Sequence, residues 1–272
     1  MKAGKQASIK PACETESSFW LVIKYLILLG GIFLILDLIF YGINTWESTS
    51  IDSSLRLVLQ LLISWGIILT LLLSRGLLSA GLFRLEPDIL RTGLISYLMG
   101  ISLSLIILGS MTWLPFSPPE SMENYSETAR QGSYVLLLVA MLIISPVAEE
   151  LFFRGFVFGI WNHSYGYYKG LSGSAFLFAI SHIFYWKIIV ALFAGFLLGY
   201  VFSRHKNILV AIACHMGINS APVLSEPLIR IFGIDPDKID HIPVSLITLS
   251  AVIFLISLFF QHRTLKLTSR DV

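Results

Sequence analysis

The sequence predicts an all-α fold, a polytopic bundle of transmembrane helices with about eight membrane segments and both termini cytoplasmic. Three observations predict it. Of 272 residues, 56% are hydrophobic and 13% charged, and that charged share is about half of what an ordinary soluble domain carries. The apolar residues gather into long runs, each near the roughly 20 residues a helix needs to span a bilayer, rather than into the shorter alternating segments of a barrel. The Lys and Arg residues between the runs fall on one side of the chain's crossings, which sets its orientation.

Taken in order, the runs are Phe19 to Ile43, Leu55 to Leu73, Gly93 to Leu114 and Val135 to Trp161, each long enough for a helical span. Leu171 to Trp186 and Ile188 to Phe202 are shorter and nearly continuous, parted by Lys187, and Ile208 to Leu224 and Pro243 to Phe260 complete the eight. With eight crossings, Lys2, Lys5 and Lys10, then Arg75, Arg84 and Arg91, then Lys169, Arg204, Lys206, Arg263, Lys266 and Arg270 share the cytoplasmic side. The opposite loops, around Asn44 to Asp52, Pro115 to Arg130 and Ser225 to His241, are acidic or mixed. A cleavable signal peptide is not expected, because the first apolar run is long and no small-residue cleavage pattern follows it.

Organisation follows from the same pattern. Residues 1–18 read as a cytoplasmic tail, 19–132 as N-terminal membrane segments and loops, 133–224 as the core that holds the intramembrane polar groups, and 225–272 as a last loop, a final helix and a cytoplasmic tail. The Pro- and Ser-rich stretch PFSPPESMENYSE separates the second part from the third. A net charge of +2 averages over two membrane faces, and no nucleic-acid partner is expected. Cys13 in the tail and Cys214 in an apolar run are poor disulfide partners, and Cys214 reads as a small buried hydrophobe.

The chemistry lies where charge enters lipid. Ionisable groups at membrane depth are costly, so they face the bundle interior and mark functional sites. The stretch SPVAEELFFRG places Glu149, Glu150 and Arg154 on the fourth run; His182 lies on the fifth, and His215 and Asn219 lie on the seventh. Glu150 and Arg154 are four residues apart with the acid first, the favoured order for a helical ion pair. Glu149 points about 100° away around the helix, which leaves it available for other work. A carboxylate tuned toward the working pH is what a general base needs. Phe178 and His182, and likewise His215 and Asn219, are spaced to share a helix face. One carboxylate, two imidazoles and an amide can activate water and stabilise an oxyanion; two His and one Glu are equally the ligand set of a catalytic zinc. Pro146, just before the acids, is placed to kink the helix and admit water. Phe152, Phe153 and Phe156 read as packing, and His163, His205, His241 and His262 as solvated loop or end residues.

These residues carry a resemblance. EELFFR, FAISH and HMGIN fit Glu-Glu-x-x-x-Arg, Phe-x-x-x-His and His-x-x-x-Asn in that order, and over Val135 to Leu224 the chain resembles the CPBP family of intramembrane proteases. That family includes the CAAX prenyl endopeptidases and bacterial proteins linked to bacteriocin processing and self-immunity. The resemblance implies an endopeptidase, an integral protein of a bacterial plasma membrane, that cleaves a membrane-associated peptide or lipidated protein. It implies Glu149 as the base that activates water, His182 as an aid to that water, and His215 and Asn219 as oxyanion donors. Glu150 and Arg154 would shape and neutralise the site, with Phe178 as its wall. No obligatory metal is expected, since a side-chain amide suits an oxyanion hole better than a zinc shell; zinc on Glu149, His182 and His215 is the open alternative.

Two further readings compete. GLSG, Gly170 to Gly173, matches the Gly-x-Ser-Gly of rhomboid proteases, with Ser172 as nucleophile and His215 as base, but this leaves the acidic cluster unused. A non-catalytic binding or immunity protein, or a transporter, would use the same polar groups for a ligand, ion or proton. The zinc signature His-Glu-x-x-His is absent from the sequence.

Overall fold

The structure, a computed structural model, describes residues 17–46, 51–113, 133–182, 185–231 and 241–268. The N-terminal tail with Cys13 and the loop Pro115 to Arg130 therefore lie outside the described residues. All regular elements among the described residues are helical: α1 Ser18–Trp46, α2 Ser53–Ser74, α3 Ile89–Met111, α4 Tyr134–Tyr165, α5 Tyr167–Ile180, α6 Tyr185–His205, α7 Ile208–Ile231 and α8 Val244–Thr268. A single 3-10 turn, Ala80–Leu82, stands between α2 and α3.

Each element ends for a local reason. Asp52 caps α2, its Oδ1 accepting from the Leu55 amide at 2.9 Å, while its Oδ2 accepts from the Ser133 amide at 3.1 Å at the start of α4. One acidic side chain thus satisfies backbone donors at two helix starts. Gly166, at φ +84°, makes the left-handed turn that separates α4 from α5. Asn207 caps α7 through the Leu209 amide at 3.1 Å and donates to the Arg84 carbonyl at 2.6 Å.

Six helices are long and apolar enough to cross a membrane: α1, α2, α3, α4, and the Ile188–His205 and Val244–His262 stretches of α6 and α8. The chain is an integral membrane protein. The other two helices differ. With 14 residues, α5 reaches about 21 Å at 1.5 Å per residue, short of the roughly 30 Å hydrocarbon core. In α7 the apolar stretch is Ile208–Ala221, also shorter than a span.

The fifth apolar run departs from expectation in its boundary. Leu171 to Trp186 is not one helix: α5 ends at Ile180, Ser181 and His182 form a turn, and Trp186 belongs to α6. Hydropathy does not register the break, because the residues on both sides of it are apolar. What allows the break is polar satisfaction of the helix end, described below.

The helices group into two compact units that interleave along the chain. The first comprises the described residues of Met1–Phe83 and Glu120–Ser174, the second those of Arg84–Pro119 and Ala175–Val272. In the first, α1, α2 and α4 enclose an aromatic core. Trp65 meets Phe152 edge-on at 5.7 Å, Phe152 meets Phe153 at 5.1 Å, and Tyr25 meets Phe156 at 5.3 Å. Phe152, Phe153 and Phe156 of α4 are fully buried, as their packing role requires. Asp37 of α1 pairs with Arg56 of α2 at 2.5 Å, so this acid joins two helices. In the second unit α3 packs along both α7 and α8. Its far end is fastened by Trp113, whose Nε1 donates to the Ile242 carbonyl at 2.9 Å and whose ring stacks on His241. At the other end His205 bonds Gln261 of α8, which in turn bonds Ser96 of α3. His205 and His241 are thus structural fasteners rather than merely solvated.

Candidate active site

The first unit carries Glu149, Glu150 and Arg154 on an irregular helix. Within α4, regular turns at Tyr134–Val139 and Ser145–Glu150 alternate with wider π turns at Ala140–Ile144 and Leu151–Phe158. Pro146 explains the first: it has no N–H to give, and the helix widens ahead of it so that the Ser145 amide reaches back five residues to the Ala140 carbonyl. Short π segments inside α-helices are concentrated at functional sites.

On this frame the two glutamates are unequal. Glu150 and Arg154 are fully buried, and Arg154 Nη1 donates to Glu150 Oε1 at 2.8 Å. Arg154 lies in the second π segment, where Phe152, Phe153 and Phe156 are also buried, and Glu150 ends the regular turn just before it. Such a pair is tolerated in low dielectric only because each charge offsets the other's desolvation. Glu149 is half-buried and points elsewhere, accepting a short hydrogen bond from Ser145 Oγ one turn earlier. Ser145 is a residue that sequence reasoning missed. Its signal was present in the four-residue spacing to Glu149, the same spacing that marks the other pairs.

The second unit brings the other motif residues together. Phe178, buried near the end of α5, lies between two imidazoles: its ring centroid is 4.7 Å from that of His182 and 5.6 Å, edge-on, from that of His215 on α7. His182 stands in the turn after α5 rather than on the helix, yet still reaches its predicted neighbour. Its Nδ1 lies 2.8 Å from the Phe178 carbonyl, which also accepts from Ser181 Oγ at 2.8 Å. These two side chains satisfy a carbonyl that the helix end would otherwise orphan. Because a carbonyl only accepts, Nδ1 carries the hydrogen, and Nε2 is then the acceptor nitrogen of the ring's neutral form. His215 is buried and Asn219, one turn on, is half-buried. The chemistry available is an imidazole at His182, with a second imidazole and an amide one turn apart on α7.

Gly-Leu-Ser-Gly has a packing explanation. A Cβ at Gly170 would stand 2.7 Å from the Asn162 amide nitrogen, and one at Gly173 would run into the Trp161 ring, so both glycines let α5 fold back on the end of α4. Ser172 is exposed. Among the described residues no three His, Cys, Asp or Glu side chains gather into a set that holds a metal ion.

Comparison with known proteins bears on the same segment. Residues 131–221 match the model of the type II CAAX prenyl endopeptidase Rce1-like family, a range that includes Ser145, the two glutamates, Arg154, Phe178, both histidines and Asn219. Over this segment the chain is similar to that protease family. A relative from Bacillus subtilis (strain 168), named "Putative membrane peptidase YdiL", is 26% identical over 122 residues, 44% of this chain. The chain spans half the length of that relative, 50%. No solved structure matches the chain. The matched segment includes α4, α5, α6 and most of α7 and leaves out α1, α2, α3 and α8.

Proposed function

We propose that the protein is an intramembrane endopeptidase that hydrolyses a peptide bond of a membrane-associated peptide or lipidated protein with a water activated by Glu149. The observation that carries the reading is the contrast on α4, where Glu150 is held by Arg154 in a buried ion pair while Glu149 is oriented separately by Ser145 in a segment of protease-family sequence. Arg154 neutralises Glu150, and Glu149 is kept for chemistry. In the proposed reaction Glu149 takes a proton from water as the oxygen attacks the scissile carbonyl carbon. His182, through Nε2, accepts a hydrogen bond from that water and orients it. The tetrahedral oxyanion is received by Asn219 Nδ2 and by an N–H of His215. Glu149 then returns its proton to the departing amine as the C–N bond breaks, so one water is consumed and the enzyme is restored.

The proposal retains about eight membrane segments with both termini cytoplasmic in a bacterial plasma membrane, α5 and α7 entering as short segments. No step is routed through a metal. Zinc on Glu149, His182 and His215 is the competing arrangement, and loss of activity on chelation with recovery on zinc would establish it. The second reading is a binding or immunity protein, or a transporter, that uses the polar cluster without cleaving. The packing roles of Gly170 and Gly173 make the serine-protease reading weaker still, since they explain the motif without a nucleophile. The deciding experiment compares new peptide ends in membranes carrying wild-type protein or Glu149→Gln at matched levels. Ends that vanish with the variant support hydrolysis, and identical profiles with a retained biological effect favour binding.

A further inference from the structure

Helix α3, outside the family segment, makes the tightest approach to the helix that carries His215 and Asn219. A Cβ at Gly100 would run into the Cys214 carbonyl and stand 3.1 Å from the Ile218 amide; one at Gly217 would run into the Tyr97 carbonyl and stand 3.0 Å from the Ile101 amide. The two backbones therefore touch, as small residues permit between membrane helices. At about 100° per residue, Gly217 and Ser220 project from the side of α7 opposite His215 and Asn219. Helix α3 is a backboard behind the reactive face.

Contact alone leaves α7 free to slide or roll along such a smooth seam, and a side-chain hydrogen bond crosses it. The Tyr97 hydroxyl donates to Ser220 Oγ at 2.9 Å, and Ser220 Oγ donates to the Met216 carbonyl at 2.7 Å. Ser220 follows Asn219 and Met216 follows His215, so this chain from α3 ends on the same turn that holds the two oxyanion donors.

We propose that Tyr97 is a positioning residue for the oxyanion donors, its hydroxyl fixing the rotation and axial position of α7 through Ser220. The proposal rests on the endopeptidase reading. Misplacing catalytic groups by about 1 Å costs on the order of 100-fold, and partial loosening here is expected to cost on the order of 10-fold in kcat.

The test uses the full chain in a Cys13→Ser background, so that Cys214, which is buried against α3, is the one thiol. The substrate is a peptide spanning a cleavage site found by the membrane comparison above. Tyr97→Phe, which keeps the ring, is expected to lower kcat with KM within two-fold of wild type and to raise Cys214 alkylation by a membrane-permeant maleimide severalfold. Ser220→Ala should reproduce both effects and the double variant add nothing, while Ser220→Thr, which keeps the hydroxyl, should restore them. Wild-type kcat in Tyr97→Phe, additive losses in the double variant, or unchanged alkylation would each overturn the proposal. If wild-type protein cleaves nothing, the hydrolytic reading falls by itself, whereas the alkylation arm still reads whether Tyr97 holds α7.

Discussion

Replacing Arg154 with methionine removes the positive charge from a fully buried ion pair and leaves most of its apolar volume. The structure sets the expected cost. Both side chains have no exposed surface and meet at 2.8 Å, so the Glu150 charge, stripped of the guanidinium, keeps its desolvation penalty and loses its main compensation. Breaking such a pair from one side costs about 3–5 kcal/mol. Glu150→Leu should destabilise by a similar amount, because it strands the guanidinium. Removing both charges together is different. A double Glu150→Leu, Arg154→Met variant replaces two desolvated ions by apolar groups, and such swaps range from neutral to about 1–4 kcal/mol stabilising. The two single losses therefore should not add. Equilibrium unfolding in mixed micelles, followed by helical circular dichroism for the four members of the cycle, measures this. A single-variant loss below about 1 kcal/mol, or a double variant as costly as the sum of the singles, would refute the claim that the pair is a buried, mutually neutralising unit.

Other outcomes follow from single contacts. Ser145→Ala removes the hydroxyl that orients Glu149; a hydrogen bond to a charged group is worth about 1.5–3 kcal/mol, so turnover should fall roughly ten-fold or more with the fold intact, as steady-state kinetics and circular dichroism will show. Ser172→Ala should leave peptide cleavage unchanged, since this exposed side chain has no role in the mechanism. Gly173→Ala should destabilise by about 1–3 kcal/mol through overpacking against Trp161, read by the same unfolding assay. Extraction with a chelator should leave cleavage intact, and metal analysis of the purified protein checks the preparation.

Much of this was legible in the residues, for identifiable reasons. Hydropathy located the six helices long enough to cross a membrane because lipid rewards continuous apolar runs, and the four-residue spacing of Glu150 and Arg154 gave their contact directly. The boundary inside Leu171 to Trp186 was hidden, because the two turn residues Ser181 and His182 stand in an otherwise apolar run, where they barely lower the hydropathy. Helical geometry still put His182 beside Phe178, since the turn continues the helix's path by one more step. The π segments were also invisible: Pro146 announced a disturbance, but not that the helix would widen on both sides of the acids. Nor did spacing along the chain show that α3 packs on α7, a pairing between residues more than a hundred positions apart, set by glycines whose value appears only when two backbones meet.

The central claim is that Glu149, and not its neighbour, supplies the base. Single-turnover cleavage of one defined membrane peptide by purified wild-type protein and Glu149→Gln, each first shown to be folded and to bind the peptide equally, tests it most directly. The account predicts binding retained and a rate lowered by about 100- to 10,000-fold, the range expected for loss of a general base. A Glu149→Gln rate within three-fold of wild type would contradict it.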